Sequence, residues 1–238
     1  MRPRLTERND VSLSAEFHPR SNRGSRILIV AAVRQELDPS EFSENGDVRI
    51  VFTGIGSSRA ADVVRKCLAE RQYRLVVSAG FSGGTRPGLR VGDLVIASEV
   101  LEMASGKHWT PAVAVPNESF LKGRLATVDR PLSDPEEKER IGKVHGALAV
   151  DMETAAVAAS ASEAGVPWMA LRAILDPMEV PLTVSSWRQG VGSVVNPFRW
   201  SDLKELMKGI RIARGSLSRG LNGFVLALRD FSALQKTV

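Results

Sequence analysis

Ala147-Leu-Ala-Val-Asp151-Met152-Glu153-Thr-Ala-Ala-Val-Ala-Ala-Ser-Ala-Ser-Glu-Ala-Gly165-Val-Pro167-Trp168-Met-Ala-Leu-Arg-Ala-Ile-Leu175-Asp176-Pro177 contains two carboxylate sites joined by one helix and one strand. Ala147 to Val150 is a short apolar approach, and Asp151-Met152-Glu153 falls where a helix begins. Small, helix-compatible residues run from Thr154 to Ala164; Gly165 then suits a left-handed stop, and Pro167 bars continuation. Trp168 to Leu175 is an apolar run of strand length that ends at Asp176-Pro177. An acid at a helix start and another at a strand's carboxyl end can face one cleft in an α/β protein.

Working outward, Arg26-Ile-Leu-Ile-Val-Ala-Ala-Val33 reads as a central strand covered on both faces. Glu36 follows at the rim where such sheets place ligands, and is either a ligand-facing acid or a solvated loop charge. Val48 to Thr53 is a second strand, and Gly54-Ile-Gly56-Ser-Ser-Arg59 leads into an Ala-rich helix through about Arg71. Arg59 stands where a dinucleotide fingerprint needs a small residue, so NAD binding is rejected. The turn still offers helix N-terminal amides to an anion, or is simply a tight strand-to-helix connection. Leu75 to Ser78 is a third strand, and Ala79-Gly80-Phe81-Ser82-Gly83-Gly84 reads as a loop whose glycines let backbone approach a ligand. Gly92-Asp93 turns into an apolar strand to Val100, and the irregular stretch Leu101 to Pro116 is a packing loop or a pocket wall. Leu125 to Val128 is a strand, and Ser133-Asp-Pro-Glu-Glu-Lys-Glu-Arg140 opens a helix with capping chemistry and first-turn acids.

The chain has 238 residues, 43% of them hydrophobic, enough for one α/β domain over residues 25–238. Residues 1–24 read as a mobile tail with no secretory centre. The net charge of +5 is uneven: +2 in residues 1–24, +5 in 199–238 and −2 in the body between, which argues against a nucleic-acid groove in the core. Leu203, Leu206, Met207, Ile210 and Ile212 among Lys204, Lys208, Arg211 and Arg214 make a basic amphipathic helix, packed on the sheet or laid on a membrane surface. The segment from Pro177 to Gly192 reads as a lid or an extended pocket wall. The single Cys67 excludes an intramolecular disulfide, suits a reducing compartment, and lies on the apolar helix face of Ala60, Val63, Val64 and Leu68 as a core thiol. His18, His108 and His145 lack metal-ligand spacing, so no metal or cofactor is expected, and there is no G-x-S-x-G elbow.

Six motifs in order, Ile27 to Glu36, Gly54-Ile-Gly56 before its helix, Ser78 to Gly84, Val91-Gly-Asp93, Val150-Asp-Met-Glu153 and Leu171-Arg-Ala-Ile-Leu-Asp176, resemble the nucleoside phosphorylase and nucleosidase family. The resemblance implies a three-layer α/β sandwich around a mixed sheet and a homo-oligomer. The sequence is most similar to the hopanoid-associated branch, whose members act on adenosylhopane, through A-L-A-V-D-M-E, Asp176-Pro177 and V-G-S-V-V with its following Arg-rich helices. It therefore implies a cytoplasmic enzyme, with residues 199–238 near the inner membrane, that cleaves the N-glycosidic bond of a 5′-modified adenosine. The alternatives are a phosphorylase, a methylthioadenosine/adenosylhomocysteine-type nucleosidase, and a nucleoside-binding or membrane-associated protein without turnover.

By the same resemblance, Asp176 protonates or hydrogen-bonds the purine at N7 and Glu36 deprotonates the attacking water. Glu153 accepts hydrogen bonds from the ribose diol, since two carboxylate oxygens match two hydroxyl donors. Met152 packs on the sugar, and Asp151, Gly80, Phe81, Ser82 and Gly83 complete the substrate site. Without the resemblance, Asp176 is equally a turn-capping residue, Glu153 a first-turn acid and Met152 core filling. Ser78 stands where hexameric phosphorylases carry a phosphate-binding arginine, which favours water as nucleophile, while Arg34 and Arg59 leave phosphorolysis open. Two departures stand out. Leu175 replaces the Ser that commonly precedes the acid, putting the orientation of Asp176 in question; Phe81 replaces a small residue and suits an apolar 5′ group. Asp176→Asn is expected to abolish turnover with the fold intact.

Overall fold

The computed structural model describes residues 26–42, 47–112, 120–179 and 200–234. The tail 1–24, most of the segment after Pro177 and V-G-S-V-V at 191–195 lie outside the described residues. The strands are β1 (Ile27–Ala31), β2 (Val48–Phe52), β3 (Leu75–Gly84), β4 (Leu94–Glu102), β5 (His108–Trp109), β6 (Leu121–Thr127), β7 (Ala147–Asp151) and β8 (Trp168–Asp176). The helices are α1 (Ser57–Glu70), α2 (Pro135–His145), α3 (Thr154–Glu163) and α4 (Trp200–Leu234), with one 3-10 turn at Pro39–Phe42.

These strands form one mixed sheet in the order β2-β1-β3-β7-β6-β4-β5, with β8 pairing both β3 and β4. β1 runs parallel to β2 and β3, and β8 runs parallel to β3 but antiparallel to β4. Since β7 pairs with the end of β3 and with β6, and β6 with β4, the strands β3, β8, β4, β6 and β7 close a ring.

The period-2 geometry of strands sorts the apolar residues into two layers. Leu28, Val30, Val76, Ala170 and Ile174 pack with Ala60, Val64 and Cys67 of α1 and the Ala-rich face of α3. Ile29, Ala31, Val77, Ala79, Leu171, Ala173 and Leu175 face the other way, against Ala213, Leu217, Leu221 and Phe224 of α4. All five residues of β1 are buried, as a strand covered on both faces requires. The three-layer sandwich implied by the resemblance is the observed architecture.

Helix ends follow local chemistry. Asp134 caps α2 by accepting from the Glu136 amide at 3.0 Å, Pro135 fits the first turn, and Gly146 closes it in the left-handed conformation. Three sequence expectations are revised. Ala79 to Gly84 is the second half of β3, not a loop. Phe81 is core, in the layer under α4, and does not line the acid-bearing face. Along α4 the sheet-facing stripe is Leu206, Ala213, Leu217, Leu221 and Phe224, whereas Met207 and Ile212 are exposed.

Candidate active site

The half of β3 from Ser78 to Gly83 is the spine along which the buried acids gather. Glu36 reaches it from the turn after β1, where buried Leu37 anchors the chain. Its Oε2 accepts from the Ala32 and Val33 amides at 2.7 and 3.1 Å, and its Oε1 from the Phe81 amide at 2.9 Å. Burial pushes the Glu36 pKa above the usual carboxylate range, opposed by the Arg172 guanidinium and these amides. Gly80 is required there by close approach: a Cβ would stand 2.2 Å from Arg172 Nη1 and 2.6 Å from Glu36 Oε1.

Antiparallel pairing of Gly83 with Val150 brings the carboxyl end of β7 back along this spine. Asp151 is enclosed, its side chain 1% exposed, and is bonded on both oxygens. Oδ1 accepts from the Thr127 hydroxyl at 2.8 Å; Oδ2 accepts from the Thr154 amide and from Arg172 Nη2 at 2.8 and 2.6 Å, and also from the Thr154 hydroxyl. Arg172 further donates to Ser78 Oγ at 2.9 Å and, through Nε, to Thr154 Oγ1 at 3.1 Å. Asp151 thus supports the site from behind, and its enclosure gives a substrate no oxygen to reach.

Glu153 follows two residues later. Its Oε1 accepts the Gly56 amide at 2.8 Å, so the anion taken by the turn before α1 is the protein's own carboxylate. Ser57 Oγ locks the same turn by donating to the Met152 carbonyl at 2.8 Å. Burial first, then the Asp151 carboxylate, raise the Glu153 pKa to about 7, against the pull of Arg172 and the Gly56 amide, with Glu36 adding to the rise. Glu36, Asp151 and Glu153 thus lie around one guanidinium, and the negative charge of its neighbours makes the Glu153 carboxyl group the harder to ionise.

Asp176 closes β8 and pairs with Gly83 across the sheet, so it sits three strand residues, about 10 Å, from Gly80. Its Oδ2 is bonded by Nζ of Lys138, whose side chain is 0% exposed; the same Nζ lies 3.4 Å from the Asp176 carbonyl oxygen. Strand alternation turns Leu175 to the opposite face, where it is core against α4. The structure therefore gathers Glu36, Glu153 and Gly80 around Arg172, with Asp176 beside Gly83 farther along β3 and Ser82 buried on the same strand. A cavity of about 430 Å³ lined by Gly92, Asp93, Phe120, Ser216 and Arg219 holds none of these acids.

Arg172 and Lys138 are the residues that sequence reasoning passed over. An arginine within an apolar strand is a buried charge that demands partners, and Lys138 shares a helical face with buried Ile141 and Gly142. Both signals were legible.

Fold and site together define an α/β protein that gathers carboxylates along one segment of a mixed sheet. The chain belongs to the phosphorylase superfamily, whose family model matches residues 40–120 and 117–189. It is 30% identical over 157 residues to the 5′-methylthioadenosine/S-adenosylhomocysteine nucleosidase of Bacillus cytotoxicus, a match covering 55% of this chain and 68% of that protein. Among solved structures it is similar to a putative nucleosidase of that kind from Borrelia burgdorferi B31 bound to adenine, with a TM-score of 0.62, 19% identity, and coverage of 85% of this chain and 99% of that one. Futalosine hydrolase of Helicobacter pylori gives a TM-score of 0.59 at 17% identity, covering 84% of this chain and 98% of that one. At such identities the structural likeness establishes the fold.

Proposed function

We propose that the protein is a nucleosidase that hydrolyses the N-glycosidic bond of a 5′-modified adenosine and releases adenine. What supports this is the placement of Glu36, Glu153 and Asp176 beside one strand segment, each in a different electrostatic setting. Glu36, held by three amides and made more basic by burial, takes a proton from the attacking water. Glu153 keeps one oxygen beyond its bond to Gly56 and accepts from the ribose hydroxyls, with Met152 against the sugar. Asp176 faces the purine and passes its proton to N7 as the bond to C1′ breaks and that bond's electron pair moves onto the base, while the proton that Glu36 takes from water balances the one given up. Gly80, Phe81, Ser82 and Gly83 act through the backbone and the space they leave, and Asp151 acts through Arg172.

Water is the nucleophile in this scheme. A guanidinium does reach Ser78, from Arg172 on the neighbouring strand, but its Nε and Nη2 are committed to Thr154, Ser78 and Asp151. Arg34 lies over the Phe52 ring at 5.0 Å. The curated relatives matched are named for hydrolysis of methylthioadenosine and adenosylhomocysteine. The hopanoid-branch motifs support adenosylhopane as the substrate, and the family resemblance supports a homo-oligomer acting in the cytoplasm. Membrane contact through residues 199–238 is favoured by exposed Met207, Ile212 and Leu226 on the basic helix α4; no described helix is long and apolar enough to cross a membrane. Incubating the purified protein with adenosines varied at the 5′ position, with and without phosphate, tests the scheme. Adenine and free ribose product are expected in both conditions; ribose-1-phosphate formed only with phosphate would overturn hydrolysis, and no free base from any nucleoside would overturn the enzyme.

A further inference from the structure

Lys138 is an unusual residue to find inside. Lysine carries a long stem and a strongly hydrated ammonium, and burial is tolerated only when the charge is paired. Here the side chain is 0% exposed, and its ammonium bonds Asp176 Oδ2 and lies 3.4 Å from the Asp176 carbonyl. The stem runs past Gly83, where a Cβ would stand at ordinary contact distance, 3.5 Å, from Lys138 Cε. The helix that delivers it is fixed by the Asp134 cap and by buried Ile141. Replacing such a pair by apolar side chains is often neutral or stabilising, so packing alone does not call for an ammonium at this point.

We propose that Lys138 is a positioning residue of the site, which holds Oδ2 of Asp176 and so aims the rest of the carboxyl group at the departing purine. This rests on the nucleosidase reading, in which Asp176 faces the base. It also answers the question raised by Leu175: that side chain belongs to the α4 face, and the group that orients the acid comes instead from α2. The Asp176 side chain retains 18% exposure, whereas that of Lys138 is sealed from solvent.

A purine is a poor leaving group and needs help at N7, whereas nitrophenolate departs without protonation. Loss of Lys138 therefore damages only the reaction that uses Asp176. With wild type, Lys138→Met and Asp176→Asn, adenine release from 5′-methylthioadenosine is compared with nitrophenol release from a nitrophenyl riboside. In Lys138→Met we expect kcat for adenine to fall about 100-fold, the scale of a general acid's contribution. KM and nitrophenyl riboside cleavage should stay within about threefold, and Asp176→Asn should follow the same pattern. Lys138→Gln, which keeps a donor for Oδ2, should be intermediate, and it carries the test if Lys138→Met does not fold. Equal losses on both substrates would mean a merely structural lysine and overturn the proposal, as would wild-type adenine release in both Lys138 variants. A wild-type protein that cleaves neither substrate removes the nucleosidase reading and this inference with it.

Discussion

Glu153 is a carboxyl group whose surroundings resist its charge, and that resistance has consequences for both stability and turnover. Its pKa rises from the ordinary glutamate value of 4.5 to about 7, because burial and the Asp151 carboxylate outweigh Arg172 and the Gly56 amide. A raised pKa means that the folded state binds the proton more tightly than the unfolded chain, so the associated stability is full below about pH 4.5 and is lost as pH rises through about 7. The whole span corresponds to roughly 3 kcal/mol. Comparing urea denaturation of wild type and Glu153→Gln at acid and mildly alkaline pH, the variant is expected to lack most of this decline; parallel curves would refute the assignment. In turnover the sign reverses: the ribose contact needs an acceptor, so KM should fall as pH rises through about 7. Asp176 gives a second prediction at this scale. Asp176→Asn leaves the buried Lys138 ammonium facing a neutral amide, and removing one partner of a buried pair costs about 3 kcal/mol. Thermal melting should therefore drop in Asp176→Asn, in contrast to the intact fold expected from sequence, and recover in the double variant with Lys138→Met.

At the scale of elements, β3 is where most of the chemistry meets, and its glycines serve the buried charges rather than a flexible loop. Gly80→Ala would drive a methyl group into Arg172 Nη1 and Glu36 Oε1, and retreat would break the buried hydrogen bonds that hold both side chains. Overpacking of this kind costs about 1–3 kcal/mol, and it would displace the proposed base, so both the urea midpoint and kcat should fall. The same strand shows what the sequence made legible. Strands β1, β2 and β8 and the caps of α2 follow from apolar runs and local signals, which a linear reading captures. Glu36, Glu153 and Asp176 were recognisable because each stands at the end of such a run. The Ala79 to Gly84 half of β3 reads as a loop because glycine marks a turn in most contexts, while here, at Gly80, it makes space for residues distant in sequence. Arg172 with Asp151, and Lys138 with Asp176, are pairings fixed by sheet register in the first case and by the docking of α2 in the second, which no local pattern encodes. On α4, helical spacing made Met207 and Ile212 candidates for the sheet-facing stripe, yet the docked angle of the helix selects Ala213, Leu217 and Leu221.

For the whole molecule, charge and apolar exposure are distributed in a way that distinguishes its ends. The body between residues 24 and 199 carries −2, and the C-terminal segment carries +5. On the outward side of α4, exposed Lys204, Lys208, Arg211 and Arg219 are interspersed with Met207 at 54%, Ile212 at 43% and Leu226 at 54% exposure. A soluble substrate asks nothing of this face, whereas a substrate whose 5′ group is anchored in a bilayer requires the protein to approach one. Each cation near an anionic surface contributes about 1 kcal/mol, screened within a Debye length of roughly 8 Å at physiological salt. The protein is therefore expected to co-sediment with phosphatidylglycerol vesicles at low salt, to be released at high salt, and to ignore phosphatidylcholine vesicles. Lys204→Glu combined with Lys208→Glu and Arg211→Glu should abolish sedimentation without altering turnover of a water-soluble 5′-methylthioadenosine, because these side chains lie on the face of α4 turned away from the sheet. Retained binding in the triple variant would remove α4 as the contact. Equal turnover of soluble and vesicle-held substrates after loss of binding would separate membrane docking from catalysis altogether.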